Sequence, residues 1–105
     1  MDYKGFVGYG ISAVRLDNRN PNFINMVKQH KISFSNVDVV GELATRSDVI
    51  NNIMVGDIYR IITTNDGYSW SIGPIVGTVK AAGDNFIRAD GNPYPGDYLG
   101  NLPQF

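Results

Sequence analysis

Turn signals recur so often along this chain that they favour strands joined by tight loops over a helical bundle: twelve glycines and five prolines fall within 105 residues,. Asp17-Asn18-Arg19-Asn20-Pro21-Asn22 combines Asx residues with a proline placed to reverse the chain,. Asn65-Asp66-Gly67 is a hairpin signal,. Ala81-Ala82-Gly83-Asp84 is a further turn, and 90–96, with Gly91, Pro93, Pro95 and Gly96, cannot be regular structure,.

The segments between these turns read as strands. Residues 9–16 alternate so that Tyr9, Ile11 and Ala13 share one face and Ser12, Val14 and Leu16 the other, the two-faced pattern of a central strand,. Residues 23–29 form a second strand and pair with the first as a hairpin. Residues 30–41 favour extended structure through Ile32, Phe34 and the run 37–40,. Residues 57–64, 68–72, 74–80 and 85–89 complete the set, and 1–8 form an N-terminal arm on which Tyr3 and Phe6 are apolar.

One helix is expected. Thr45-Arg46-Ser47-Asp48 is a capping box, with a hydroxyl at the cap and a carboxylate three residues on,. Val49, Ile50, Ile53 and Met54 then repeat at helical spacing, and Gly56 is the stop,. A helix of about ten residues is held only by tertiary packing. The sum is an α+β domain over 1–105: a curved, mostly antiparallel sheet of five or six strands with one short helix packed on a face.

The last nine residues add an unusual tail. Leu99, Leu102 and Phe105 are spaced by threes in 97–105, which predicts a short α- or 3₁₀-helical turn docked on the body with Phe105 as an anchor,. This tail, Asp-x-Leu-x-Asn-Leu-Pro-x-Phe, resembles the closing motif of a family of small bacterial and phage proteins known only as a domain of unknown function. Ile11-Ser12-Ala13-Val14-Arg15 is similar to that family's opening strand, residues 47–56 to its central helix, and Phe86-Ile87-Arg88-Ala89-Asp90 to its penultimate strand. Tyr98 stands where the family pattern usually has Asn, and 30–45 is longer than typical. The resemblance implies a fold and a core, and no reaction.

Composition narrows the function. Nine basic and ten acidic residues give a net charge of −1, which offers no bulk attraction to nucleic acid or an anionic membrane,. There are no cysteines, so disulfides and thiolate metal sites are excluded, and a cytoplasmic location is expected,. No run reaches the ~18 apolar residues of a membrane span, and no signal peptide is visible.

Catalytic and metal signatures are missing, so no enzyme and no cofactor are expected. His30, the single histidine, lies among Lys28, Gln29 and Lys31 and reads as a solvated strand-end residue rather than a base or ligand,. No serine sits in a Gly-x-Ser-x-Gly elbow,. Asp90-Gly91-Asn92 is similar to the start of a calcium loop but lacks the bidentate Glu,.

Arg15, Arg60 and Arg88 each lie on a predicted strand and offer forked donors to phosphate or carboxylate,. Tyr59 and Trp70 are near them in sequence and suit stacking on a base,. The competing account is that each arginine pairs locally, Arg88 holding Asp90 or Asp97 and so locking the tail. The first functional expectation is a non-enzymatic binding module for a small anionic ligand such as a nucleotide, through Arg15, Arg88, Arg60, Tyr59 and Trp70. The family resemblance extends this to a phage protein sequestering a host signalling nucleotide. The second is a protein-interaction or assembly module, for which a homo-oligomer is one form.

Overall fold

The computed structural model describes residues 7–20, 23–33, 36–38, 40–67 and 69–105. Most of the expected N-terminal arm, with Tyr3 and Phe6, lies outside them, as do Pro21, Asn22, Phe34, Ser35, Val39 and Tyr68. The element order is β1 (Val7–Leu16), β2 (Ile24–Ser33), β3 (Asn36–Val37), β4 (Glu42–Thr45), α1 (Arg46–Met54), β5 (Tyr59–Thr63), β6 (Ser71–Ala81) and β7 (Asp84–Arg88). The strands form one seven-stranded sheet of order β3-β2-β1-β5-β6-β7, with β4 also on β2. Among the described residues, the named strands pair antiparallel except β1 with β5.

The expected hairpin of β1 and β2 is present, but the faces of β1 are not those of a simple alternation. Ile11 pairs with Gln29 and Ala13 with Lys28, so Ser12 is an extra residue in the ladder. This bulge shifts the side-chain phase, and Ile11 and Val14 both enter the main core,. β2 runs to Ser33 rather than stopping at Gln29, which carries His30 inside the sheet.

A second correction concerns β6. The sequence predicts separate strands at 68–72 and 74–80, divided at Gly73-Pro74; one strand of eleven residues, Ser71–Ala81, takes in the end of the first and all of the second. Register passes from Arg60↔Ile75 to Ile62↔Ile72, which places Pro74 in an irregularity where its missing N–H breaks no ladder bond,. The turn after β5 is correspondingly longer than a tight hairpin, covering 64–70. The β6–β7 turn is tight, with left-handed φ values of 52° at Ala82 and 83° at Gly83,.

α1 begins as its sequence dictates. Thr45 Oγ1 accepts from the Asp48 amide at 3.1 Å, and the Asp48 carboxylate accepts from the Thr45 amide at 3.2 Å. Val49 is buried, Ile50 and Ile53 pack against the core, and Met54 is exposed. Thr45→Ala is expected to cost about 1 kcal/mol by leaving a helix amide without its acceptor, readable as a shift of the urea midpoint.

The tail is extended rather than helical. Tyr98 pairs with Arg88, and Gln104 with Val14, both in parallel. Val14 donates to the Pro103 carbonyl at 2.9 Å, and Phe105 to the Val14 carbonyl at 3.0 Å. Gly100, at φ 76°, interrupts any right-handed turn between Leu99 and Leu102,. Those two leucines are buried in the core, as their spacing suggested. Phe105 is 39% exposed and is not a core anchor; it lies under the Arg15 guanidinium, 4.7 Å from it.

The sheet packs apolar groups on both faces. Ile11, Val14, Val27, Val49, Tyr59, Ile61, Ile87, Leu99 and Leu102 belong to the main core. Ile32 and Ile62 form a smaller one, covered by Val37, Trp70 and Ile72. Gly10 lets the smaller core close: a Cβ there would come within 2.6 Å of Ile62 Cγ2 and 2.9 Å of Ile32 Cδ1. Among the described residues no helix is long and apolar enough to cross a membrane.

Candidate functional site

The smaller core borders a cavity. It measures about 390 Å³ and its wall includes Ser12, Lys28, Thr63, Thr64, Asn65 and Trp70, with Pro103 of the tail. A volume of that order suits a small ligand. A second cavity of about 200 Å³ shares Thr63, Thr64, Asn65 and Trp70, and adds Asp66, Ser69 and Ser71. The 64–70 loop between them is fixed by its own short polar side chains. Gly67 donates to Thr64 Oγ1 at 2.9 Å, and Ser69 to the Asp66 carboxylate at 2.8 Å,. Lys28, on β2, has no carboxylate partner among the described residues.

Behind the wall stands His30. It is 3% exposed, a correction to the solvated residue its polar neighbours suggested. Alternation explains the change: Lys28 and His30 share a face, but His30 sits under Trp70, with ring centroids 5.0 Å apart,. His30 Nδ1 is 2.7 Å from the Asp38 carbonyl oxygen, which can only accept, so in the neutral ring Nδ1 carries the proton,. Nε2 then accepts from the Ser12 hydroxyl at 2.8 Å. Among the described residues, the buried Trp70 Nε1 has no acceptor.

The three strand arginines have separate surroundings. Arg88 is buried: Nε donates to Asp90 Oδ1 at 2.8 Å, Nη2 to Oδ2 at 2.7 Å, and Nη1 to the Gly96 carbonyl at 2.8 Å. The Tyr94 and Tyr98 rings lie beside it. Arg15 is exposed and donates to the Phe105 carbonyl at 3.2 Å. Arg60 is half-buried and donates to the Gly73 carbonyl at 2.8 Å. Tyr59 is fully buried, its ring stacked on Tyr9 at 5.0 Å. Of the five residues singled out from the sequence, Trp70 lines the two cavities just described.

The hydrogen bonds from Arg88, helped by the Asn92 amide, hold the Asp90 carboxyl down at about 2. A depressed carboxylate stabilises the fold above its ordinary value of 3.8 and loses that contribution as pH falls through about 2,. Between pH 4 and pH 2 the parent should therefore lose more of its melting temperature than Asp90→Asn, which has no proton to take up there.

Two other polar clusters escaped sequence reasoning. Asp97, with its side chain fully buried, receives Arg46 Nε at 2.7 Å, the Ile24 amide at 2.8 Å and the Ile87 amide at 2.9 Å. Arg46 also donates to the Asn85 carbonyl and lies against the rings of Phe23 and Phe86. The second is a chain of donors. Asn52 donates to the Tyr59 hydroxyl, that hydroxyl to Gln29 Oε1 at 2.8 Å, and Gln29 Nε2 to Glu42 at 2.9 Å. Burial pushes the Tyr59 phenol above its ordinary value, against the Asn52 hydrogen bond,. Among the described residues no group of three or more His, Asp or Glu could hold a metal ion. No family model, curated protein or solved structure matches the chain.

Proposed function

We propose that the protein is a binding module for a small ligand joining an anionic group to a flat ring, with a nucleotide as the fitting chemistry. The observation that carries this reading is the cavity at Trp70: an indole, a lysine with no carboxylate partner among the described residues and four hydrogen-bonding side chains line one space of about 390 Å³. Lys28 supplies charge, Ser12, Thr63, Thr64 and Asn65 supply hydrogen bonds, and the indole supplies a stacking face. The charged contact therefore moves from the strand arginines to Lys28. A cytoplasmic setting, expected of a cysteine-free chain, suits such a ligand.

Calorimetric titration of mono-, di- and cyclic nucleotides tests it. The parent should give heat with at least one, and Lys28→Gln should bind it at least about tenfold more weakly, about 1.4 kcal/mol. Its melting temperature should stay close to the parent's, because Lys28 is exposed. Absence of heat from every nucleotide would sink the reading.

An assembly module is the second reading, favoured by exposed apolar side chains next to an edge strand. Val40 is 74% exposed and Leu43, on β4, 56%. Among the described residues β4 pairs with β2 alone, so its other edge is open to a second copy,. Light scattering that returns a monomer at high concentration removes this alternative.

A further inference from the structure

The geometry points to Ser12 as a nucleophile, with His30 as its base, able to accept an acyl group from an ester in the same cavity. This goes beyond ligand retention and does not depend on which ligand the cavity holds.

Three features combine. The first is the relay of hydrogen bonds: the Ser12 hydroxyl lies 2.8 Å from His30 Nε2, and Nδ1 lies 2.7 Å from the Asp38 carbonyl. A nucleophile, a base and a group that fixes the base's tautomer are the parts of an activated serine, with a backbone carbonyl in the orienting place. The second is the bulge in β1. It takes Ser12 out of the ladder and leaves it half-buried on the cavity wall, while His30 stays buried behind it against Trp70,. A serine serving only to satisfy a core histidine has no need to face a cavity. The third is the composition of that wall. Lys28 and the Asn65 amide line the same space and are the groups able to meet an oxyanion there,.

The chemistry balances without a cofactor. Ser12 Oγ bonds to the ester carbonyl carbon as its proton passes to His30 Nε2. The tetrahedral intermediate collapses, the C–O bond to the alcohol breaks, and the departing alkoxide takes the proton from Nε2. Water then attacks acyl-Ser12 by the same route, releasing the acid and restoring the hydroxyl and the neutral ring.

A fluorophosphonate probe, which phosphonylates activated serines, tests the assignment on the whole chain. Intact-mass and peptide mapping should show one addition, at Ser12, and none in Ser12→Ala. p-Nitrophenyl acetate should be hydrolysed by the parent, with loss of that activity in Ser12→Ala. His30→Gln, if its melting curve shows it folded, should label about a hundredfold more slowly or worse, the scale of general-base catalysis. Should His30→Gln fail to fold, the site of labelling in the parent and the Ser12→Ala result decide alone. No addition to the parent, addition elsewhere with Ser12 unmodified, or equal rates in folded His30→Gln would overturn the proposal. Nucleotide heats given by the parent protein would show that the binding reading survives that outcome.

Discussion

Replacing Asp97 by alanine is expected to lower folding stability by about 3–5 kcal/mol, the scale for breaking a buried ion pair from one side. One carboxylate serves three parts of the chain: the start of β2 through the Ile24 amide, the first residue of α1 through Arg46, and β7 through the Ile87 amide. Its removal leaves a largely buried guanidinium and two backbone donors without their acceptor. Against a total of about 5–15 kcal/mol for a domain, such a loss brings the protein close to unfolding at room temperature. Urea denaturation measures it directly. A combined Asp97→Ala, Arg46→Met variant should recover part of the loss, since no orphaned charge remains. Equal instability of the single and combined variants would show that packing around Phe23 and Phe86, rather than charge, sets the cost.

The second large effect lies in the tail, and it separates two residues that look alike in sequence. Leu99→Ala should cost about 2–5 kcal/mol, because Leu99 is 4% exposed within the main core,. Phe105→Ala should cost about 1 kcal/mol or less, the loss of an exposed contact with Arg15,. Melting both variants beside the parent orders them. A Phe105→Ala loss as large as that of Leu99→Ala would contradict the extended tail and restore the aromatic anchor.

What the sequence disclosed was local. Thr45 and Asp48 are three residues apart, so the capping box could be read without knowing the fold, and the helix followed. Leu99 and Leu102 announced burial because large apolar groups at a regular spacing need cover. Arg46 and Asp97 could not be paired on paper: 51 residues separate them, and nothing near Arg46 names its partner. The Ser12 bulge was equally hidden, because it arises from how β1 meets β2 and not from either strand alone. His30 was misjudged for the same reason. Its neighbours are polar, yet burial is decided by Trp70, which arrives from a loop 40 residues later. The cavity is built from β1, β2, β5, the loop after β5 and the tail, so Lys28 carried no signal, and Trp70 was legible only as an aromatic.

Gln29 and His30 together act as a guard against misfolded pairings. They are consecutive, point to opposite faces, and each finds its partners there: Tyr59 and Glu42 for one, Ser12 and Asp38 for the other. Sliding β2 by a single position would exchange the faces, turning the exposed Lys28 into the main core and stripping both residues of their bonds at once,. A pair of adjacent polar residues thus penalises every off-by-one arrangement from two sides, where an all-apolar strand would tolerate the slip.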